Sequence, residues 1–129
     1  MTREEFIELL EENEYSYQIE GNKVVVTYRE GVYLTRITSL PPGVEFRNGE
    51  SVYLTRITSL PPGVEFNNLS HVHLISLTSI SPGVEFNNKK DVFLVSLTGD
   101  WFSEWEGNIE GINSKRVLNK MIKDGVFER

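Results

Sequence analysis

Residues 32–46 read VYLTRITSLPPGVEF, and residues 52–66 read the same fifteen letters again. Identity over such a run at a shift of 20 residues marks an internal repeat, the signature of a solenoid or stacked array. The next unit, VHLISLTSISPGVEFNNKKD, spans Val72 to Asp91 and keeps Val72, Leu74, Thr78, Ser79, Pro82, Gly83, Val84, Glu85 and Phe86 in place. A fourth unit opens with Val92, Leu94, Leu97 and Thr98, then departs at Gly99 into GDWFSEWEGNIEG.

Inside a unit, Val32-x-Leu34 alternates as a half-buried strand does, and Pro41-Pro42-Gly43 belongs to a turn because proline cannot donate to a ladder. Val44-x-Phe46 is a second short extended run, closed by Arg47-Asn48-Gly49, residues suited to a turn. Each unit is therefore predicted to be one coil of strand, turn, extended segment and turn. A single coil exposes its apolar face, so neighbouring coils must cover it and the two ends need specialised caps. The predicted core is a set of ladders: Val32/Val52/Val72/Val92, Leu34/Leu54/Leu74/Leu94, Ile37/Ile57/Leu77/Leu97, Leu40/Leu60/Ile80, Val44/Val64/Val84 and Phe46/Phe66/Phe86. Asn48, Asn68 and Asn88 recur at one turn, where their amides are expected to bond each other and the turn backbone.

The fold class that follows is a mainly β repeat solenoid in one domain, residues 1–129. Residues 1–31 form an N-terminal cap, 32–98 about four coils, and 99–129 a C-terminal cap. Thr2-Arg3-Glu4-Glu5 fits a capping box, and Phe6, Ile7, Leu9 and Leu10 make the apolar face of a helix running to about Asn13. Tyr15 to Tyr28 alternates around Gly21-Asn22, as a hairpin or as a degenerate first coil. Near the other end Ser114 is a candidate cap for a helix burying Val117, Leu118, Met121 and Ile122, with Gly125 as a Schellman stop.

The string L-T-S-L-P-P-G-V, with its L-x-L type strand and L-P turn, resembles the short leucine-rich repeats of bacterial proteins over Val32 to Thr98. The ending INSKRVLNKMIKDGVFER is similar to that of repeat proteins from bacteria and their phages. The family pattern places an asparagine after the strand; here Thr35-Arg36-Ile37-Thr38 stands there instead, so the family's horseshoe geometry does not transfer directly. The resemblance implies recognition of a protein partner through the strand face, without catalysis, including a host or defence component. Fold analogy does not establish function.

Composition bounds the partner. The net charge of -6 and pI near 5.0 argue against a general nucleic-acid binder, which needs a basic surface. Charge is polarised: residues 1–20 carry one arginine and seven glutamates, whereas residues 113–129 carry five basic and two acidic groups. That polarity favours head-to-tail association or simply two solvated ends. No apolar run approaches the ~20 residues of a membrane span, and the start is not a targeting peptide, so a soluble cytoplasmic protein is expected. The chain lacks cysteine and therefore disulfides and thiolate chemistry.

Candidate functional residues follow from the alternation. Tyr33, Tyr53, His73 and Phe93 each lie between two inward residues and should form an outward aromatic stripe. Thr35 and Thr55 lie beside it, and Arg36 and Arg56 adjoin its first two rungs. Exposed aromatics with arginine are a common signature of a binding surface; cross-strand stacking is the structural alternative. Glu45, Glu65 and Glu85 stack like charges, which a divalent cation or ordinary solvent screening would relieve. His71, His73 and Asp91 are the right ligand types for zinc, but simple alternation also produces them. Trp101, Phe102 and Trp105 among Asp100, Glu104 and Glu106 read as a plug for the final coil, with a carbohydrate or small-ligand site as the alternative. No phosphate loop, nucleophile elbow or metalloprotease helix occurs. No metal, cofactor or catalytic residue is assigned. The predicted function is a non-enzymatic interaction module for another protein, with self-association as a further reading.

Overall fold

The computed structural model describes residues 1–98, 100–102 and 115–128. The 20-residue period becomes a stack in which equivalent residues pair directly. Val32–Tyr33 (β3), Val52–Tyr53 (β5), Val72–His73 (β8) and Val92–Leu94 (β11) form one parallel sheet, with Val32 opposite Val52, Val52 opposite Val72 and Val72 opposite Val92. Val44–Phe46 (β4), Glu65–Phe66 (β7) and Glu85–Phe86 (β10) form a second in the same register. A third, smaller sheet joins Ser59–Leu60 (β6) to Ser79–Ile80 (β9). Sequence reading located two extended segments per coil; the middle coils have three, because the Thr-Ser-Leu run straightens between two turns. The architecture is a β-solenoid.

All six core ladders are found, and their rungs are buried wherever a coil lies above and below. Ile57 and Leu77 are fully covered, whereas Ile37 and Leu97, at the two ends of their ladder, are half-buried. Inside the stack, the Phe46, Phe66 and Phe86 rings lie face to face at 5.2 and 4.9 Å. Gly43, Gly63 and Gly83 adopt φ of +77°, +82° and +96°, which proline-glycine turns require and a side chain would strain.

The buried asparagine ladder supplies donors to the turn carbonyls, including those of Ser51, His71 and Asp91, which also accept from Val32, Val52 and Val72 N of the preceding coil. Asn48 Nδ2 donates to Glu30, Glu50 and Ser51 carbonyls, each at 3.1 Å. Asn68 serves Glu50, Ser70 and His71, and Asn88 serves Ser70, Lys90 and Asp91. Each amide thus ties its own turn to the turn below. The expected amide-to-amide bonds do not form: the hydrogens go to main-chain oxygens, and the three Oδ1 atoms have no hydrogen-bond partner among the described residues.

The N-terminal segment is both a helix-hairpin cap and the first partial coil. Helix α1 (Arg3–Glu12) opens with the predicted capping box: Glu5 N donates to Thr2 Oγ1 at 3.1 Å, and Thr2 N donates to Glu5 Oε1 at 2.9 Å. Its buried Phe6 and Leu10 close the core. Strands β1 (Tyr17–Glu20) and β2 (Lys23–Val26) pair antiparallel, and β2 then pairs parallel with β4, Val24 against Val44. The repeat therefore begins near Lys23, inside the predicted cap of residues 1–31, and the two alternatives for Tyr15 to Tyr28, a hairpin and a degenerate first coil, are both realised.

Every exposed sheet edge would invite another strand. At the far end three devices cover them. Strand β12 (Asp100–Phe102) pairs antiparallel with β11. Asn119 imitates a strand: its Oδ1 accepts from Phe86 N at 2.8 Å and its Nδ2 donates to Phe86 O at 2.9 Å. The Phe127 carbonyl accepts from Ile80 N at 2.9 Å. Asn119 projects from helix α3 (Lys115–Lys123), whose Leu118 and Ile122 are buried. The Lys115 ammonium donates to the Asn88 carbonyl, the place of the next coil's amide. Helix α3 ends in the predicted Schellman motif, with Gly125 at φ +77°, Val126 N on Met121 O and Gly125 N on Ile122 O. Ser114 lies outside the described residues. So does most of the departure segment; the final unit continues instead into a single helical turn, α2 (Val95–Thr98).

Candidate functional site

The V-x-L strand presents one outward residue per coil, and in-register pairing places these side chains directly over one another. Tyr33 and Tyr53 rings stack at 4.6 Å with planes 4° apart. Tyr53 and His73 follow at 4.4 Å and 9°, and His73 and Phe93 at 4.7 Å and 14°. Stacking and outward projection are thus one arrangement: the rings cover each other's faces and turn their edges to solvent. Tyr33, at the start of the row, is 56% exposed, while Tyr53, His73 and Phe93 are half-buried. The adjacent Tyr53 hydroxyl, more than burial, pushes the Tyr33 phenol above its usual range.

Beside the row, Thr35 is exposed and Thr55 half-buried, and Arg36 and Arg56 are exposed in the turn that follows the strand. Among the described residues neither guanidinium has a hydrogen-bond or ion-pair partner. All eight predicted residues, Tyr33, Thr35, Arg36, Tyr53, Thr55, Arg56, His73 and Phe93, therefore lie on one flank of the solenoid or its adjoining turn.

The neighbouring flank satisfies its charges internally. Glu45 is only 2% exposed yet ionised: burial favours the neutral acid, but hydrogen bonds from Arg47, Lys23 and Asn67 outweigh it and lower its pKa. Lys23 Nζ bridges Glu45 and Glu65 at 3.2 Å each. Arg47 bonds Glu45 through Nε and reaches Glu20 at 3.0 Å. Glu45 and Glu65 are thus offset by the chain's own cations, and Glu85 accepts from the Asn87 amide at 3.3 Å. Sequence reading missed Lys23 and Arg47, because neither position repeats: the coil equivalents of Lys23 are glycines, and those of Arg47 are Asn67 and Asn87.

The histidine pair does not converge with Asp91 as a ligand set. His71 Nδ1 accepts from the Asp91 main-chain N at 3.1 Å, and His73 is sandwiched between rings. Burial, followed by the proximity of His71, lowers the His73 pKa and favours the neutral imidazole. At the tryptophan-rich departure, β12 places Trp101 opposite Phe93 and Phe102 opposite Val92 along the backbone. Trp105, Ser103, Glu104 and Glu106 lie outside the described residues, and with them the predicted plug.

No helix among the described residues is long and apolar enough to cross a membrane. The fold and flank define a capped β-solenoid repeat protein with one ring-stacked face. No family model, curated protein or solved structure matches the chain.

Proposed function

We propose that this chain is a non-enzymatic interaction module that binds another protein through the flank bearing Tyr33, Tyr53, His73 and Phe93. The observation that carries this reading is the contrast in pairing: Arg36 and Arg56 stand free beside the ring stack, while Arg47 and Lys23 around the corner are engaged. Rings already held by their neighbours lose little freedom on binding, and an unpaired guanidinium can take a carboxylate in two bonds. The partner it fits is an acidic surface with apolar or aromatic side chains to set against ring edges.

Capture from source-cell lysate, read by mass spectrometry, tests the proposal with wild-type chain and the Tyr53→Ala/Arg56→Gln double variant as baits. Proteins enriched on the wild type should be lost from the variant while its circular dichroism stays that of the folded chain. Retention of the same proteins by a folded variant would remove this flank from consideration. A second copy would bind through a flank or by strand addition at β1, the outer strand of its sheet. Light scattering over a concentration series reads that directly.

A further inference from the structure

Ring faces in the stack are mutually covered, with an exception at its beginning. Tyr33 has one stacking neighbour in the row, Tyr53, and it also lines a cavity of about 460 Å³ together with the end of α1. Leu9, Glu12 and Asn13 form one wall of that cavity, and Tyr33, Arg36 and Ile37 the other. Such a volume falls in the range of small-molecule sites, roughly 300–1,000 Å³.

Its charges are arranged unusually. Glu12 and Arg36 both line the cavity, both are exposed, and no ion pair joins them. The carboxylate stands at the last residue of α1, where the helix dipole adds negative potential and no basic residue in the last turn offsets it. The Asn13 amide spends one of its two hydrogens on the Leu9 carbonyl at 2.8 Å. The Glu12 carboxylate therefore offers the cavity a partner for a cation, the Arg36 guanidinium a partner for an anion, and Tyr33 an aromatic surface.

We infer that this cavity binds a free aromatic amino acid. Its α-ammonium faces Glu12, its α-carboxylate takes the Arg36 guanidinium in two hydrogen bonds, and its ring extends the stack on Tyr33 as a fifth member. A purely anionic aromatic meets Glu12 and the helix end; a purely cationic one meets Arg36. Only a ligand carrying both charges is matched at both walls. This inference goes beyond the partner-binding reading and does not depend on it, because Glu12 and Asn13 lie outside the strand flank.

Titrating L-tryptophan into the full chain, followed by amide chemical shifts, tests it. Saturable shifts at Glu12, Asn13, Tyr33 and Arg36 are expected. N-acetyl-L-tryptophan, which lacks the ammonium, tryptamine, which lacks the carboxylate, and L-alanine, which lacks the ring, should each bind at least about tenfold more weakly. Glu12→Gln should weaken tryptophan about tenfold without weakening N-acetyl-L-tryptophan, which loses a repulsion; Arg36→Gln should weaken tryptophan about tenfold without weakening tryptamine. Both substitutions are at exposed positions, and circular dichroism confirms their fold. Equal affinity for tryptophan, N-acetyl-L-tryptophan and tryptamine would overturn the inference. So would the absence of shifts at these residues up to about 10 mM tryptophan, weaker than a ~1 mM site worth roughly 4 kcal/mol.

Discussion

Two outward ladders run along this solenoid, one of glutamates and one of rings, and the same stacking register has opposite consequences for them. Repeating Glu45 at Glu65 and Glu85 brings like charges one coil apart, roughly 4.8 Å. The chain offsets this with Lys23 and Arg47, drawn from non-repeating positions, and with the Asn67 amide. Repeating Tyr33 at Tyr53, His73 and Phe93 brings together groups that attract one another, so the row is stable without help. The charges beside it, Arg36 and Arg56, are left unpaired. A self-satisfied ladder leaves its neighbours available for binding; a frustrated ladder consumes them.

The sharpest way to break the glutamate side is to remove both its cations. Lys23→Met with Arg47→Met leaves the buried Glu45 carboxylate with Asn67 alone. It should cost about 2–3 kcal/mol in urea denaturation, less than the ~3–5 of a fully buried pair because water reaches both cations. Adding Glu45→Gln to that double variant should recover part of the loss. The ring ladder is tested by Tyr53→Ala, which removes two stacked contacts and should cost about 1–2 kcal/mol. Here the loss should be insensitive to salt, whereas the glutamate-side variants should differ less from wild type as salt rises.

Acid separates the two flanks by pH window. His73 has a folded pKa below its ordinary 6.5, so the folded state favours the neutral ring; its contribution is intact above that value and is lost as pH falls through the lowered one. Glu45 has a folded pKa below 4.5, so its contribution is intact above 4.5 and disappears only at lower pH. Stability measured against pH should therefore fall in two steps, and His73→Phe should abolish the first while sparing the second. The smallest effect is expected from Arg36→Gln with Arg56→Gln: unpaired surface charges should change stability by no more than about 0.5 kcal/mol. The same variant should lose partner capture. A large destabilisation would show these arginines to be structural.

Much of this was legible in the residues. Fifteen identical letters at a 20-residue shift require equivalent environments, which is why every inward ladder and the whole outward row could be named without coordinates. Thr2 and Glu5, and Gly125, announced their caps because those motifs are satisfied within a few residues of themselves. What could not be read was the third strand at Ser59–Leu60, since two residues carry no detectable alternation. The first partial coil was legible only as one of two readings of Tyr15 to Tyr28, because Val24-Val25-Val26 matches the repeat only by its pairing with Val44 to Phe46.

Periodicity, then, was a property of the chain: residues spaced 20 apart face the same neighbours, and their chemistry says which side is inward. The end fittings and the cavity arose from the assembled molecule. Asn119 meeting Phe86, the Phe127 carbonyl meeting Ile80, Lys23 spanning Glu45 and Glu65, and Glu12 facing Arg36 across open space all join segments with no repeated spacing between them. A contact made once leaves no period to detect, because its partners are selected by where separate elements come to rest rather than by their distance along the chain.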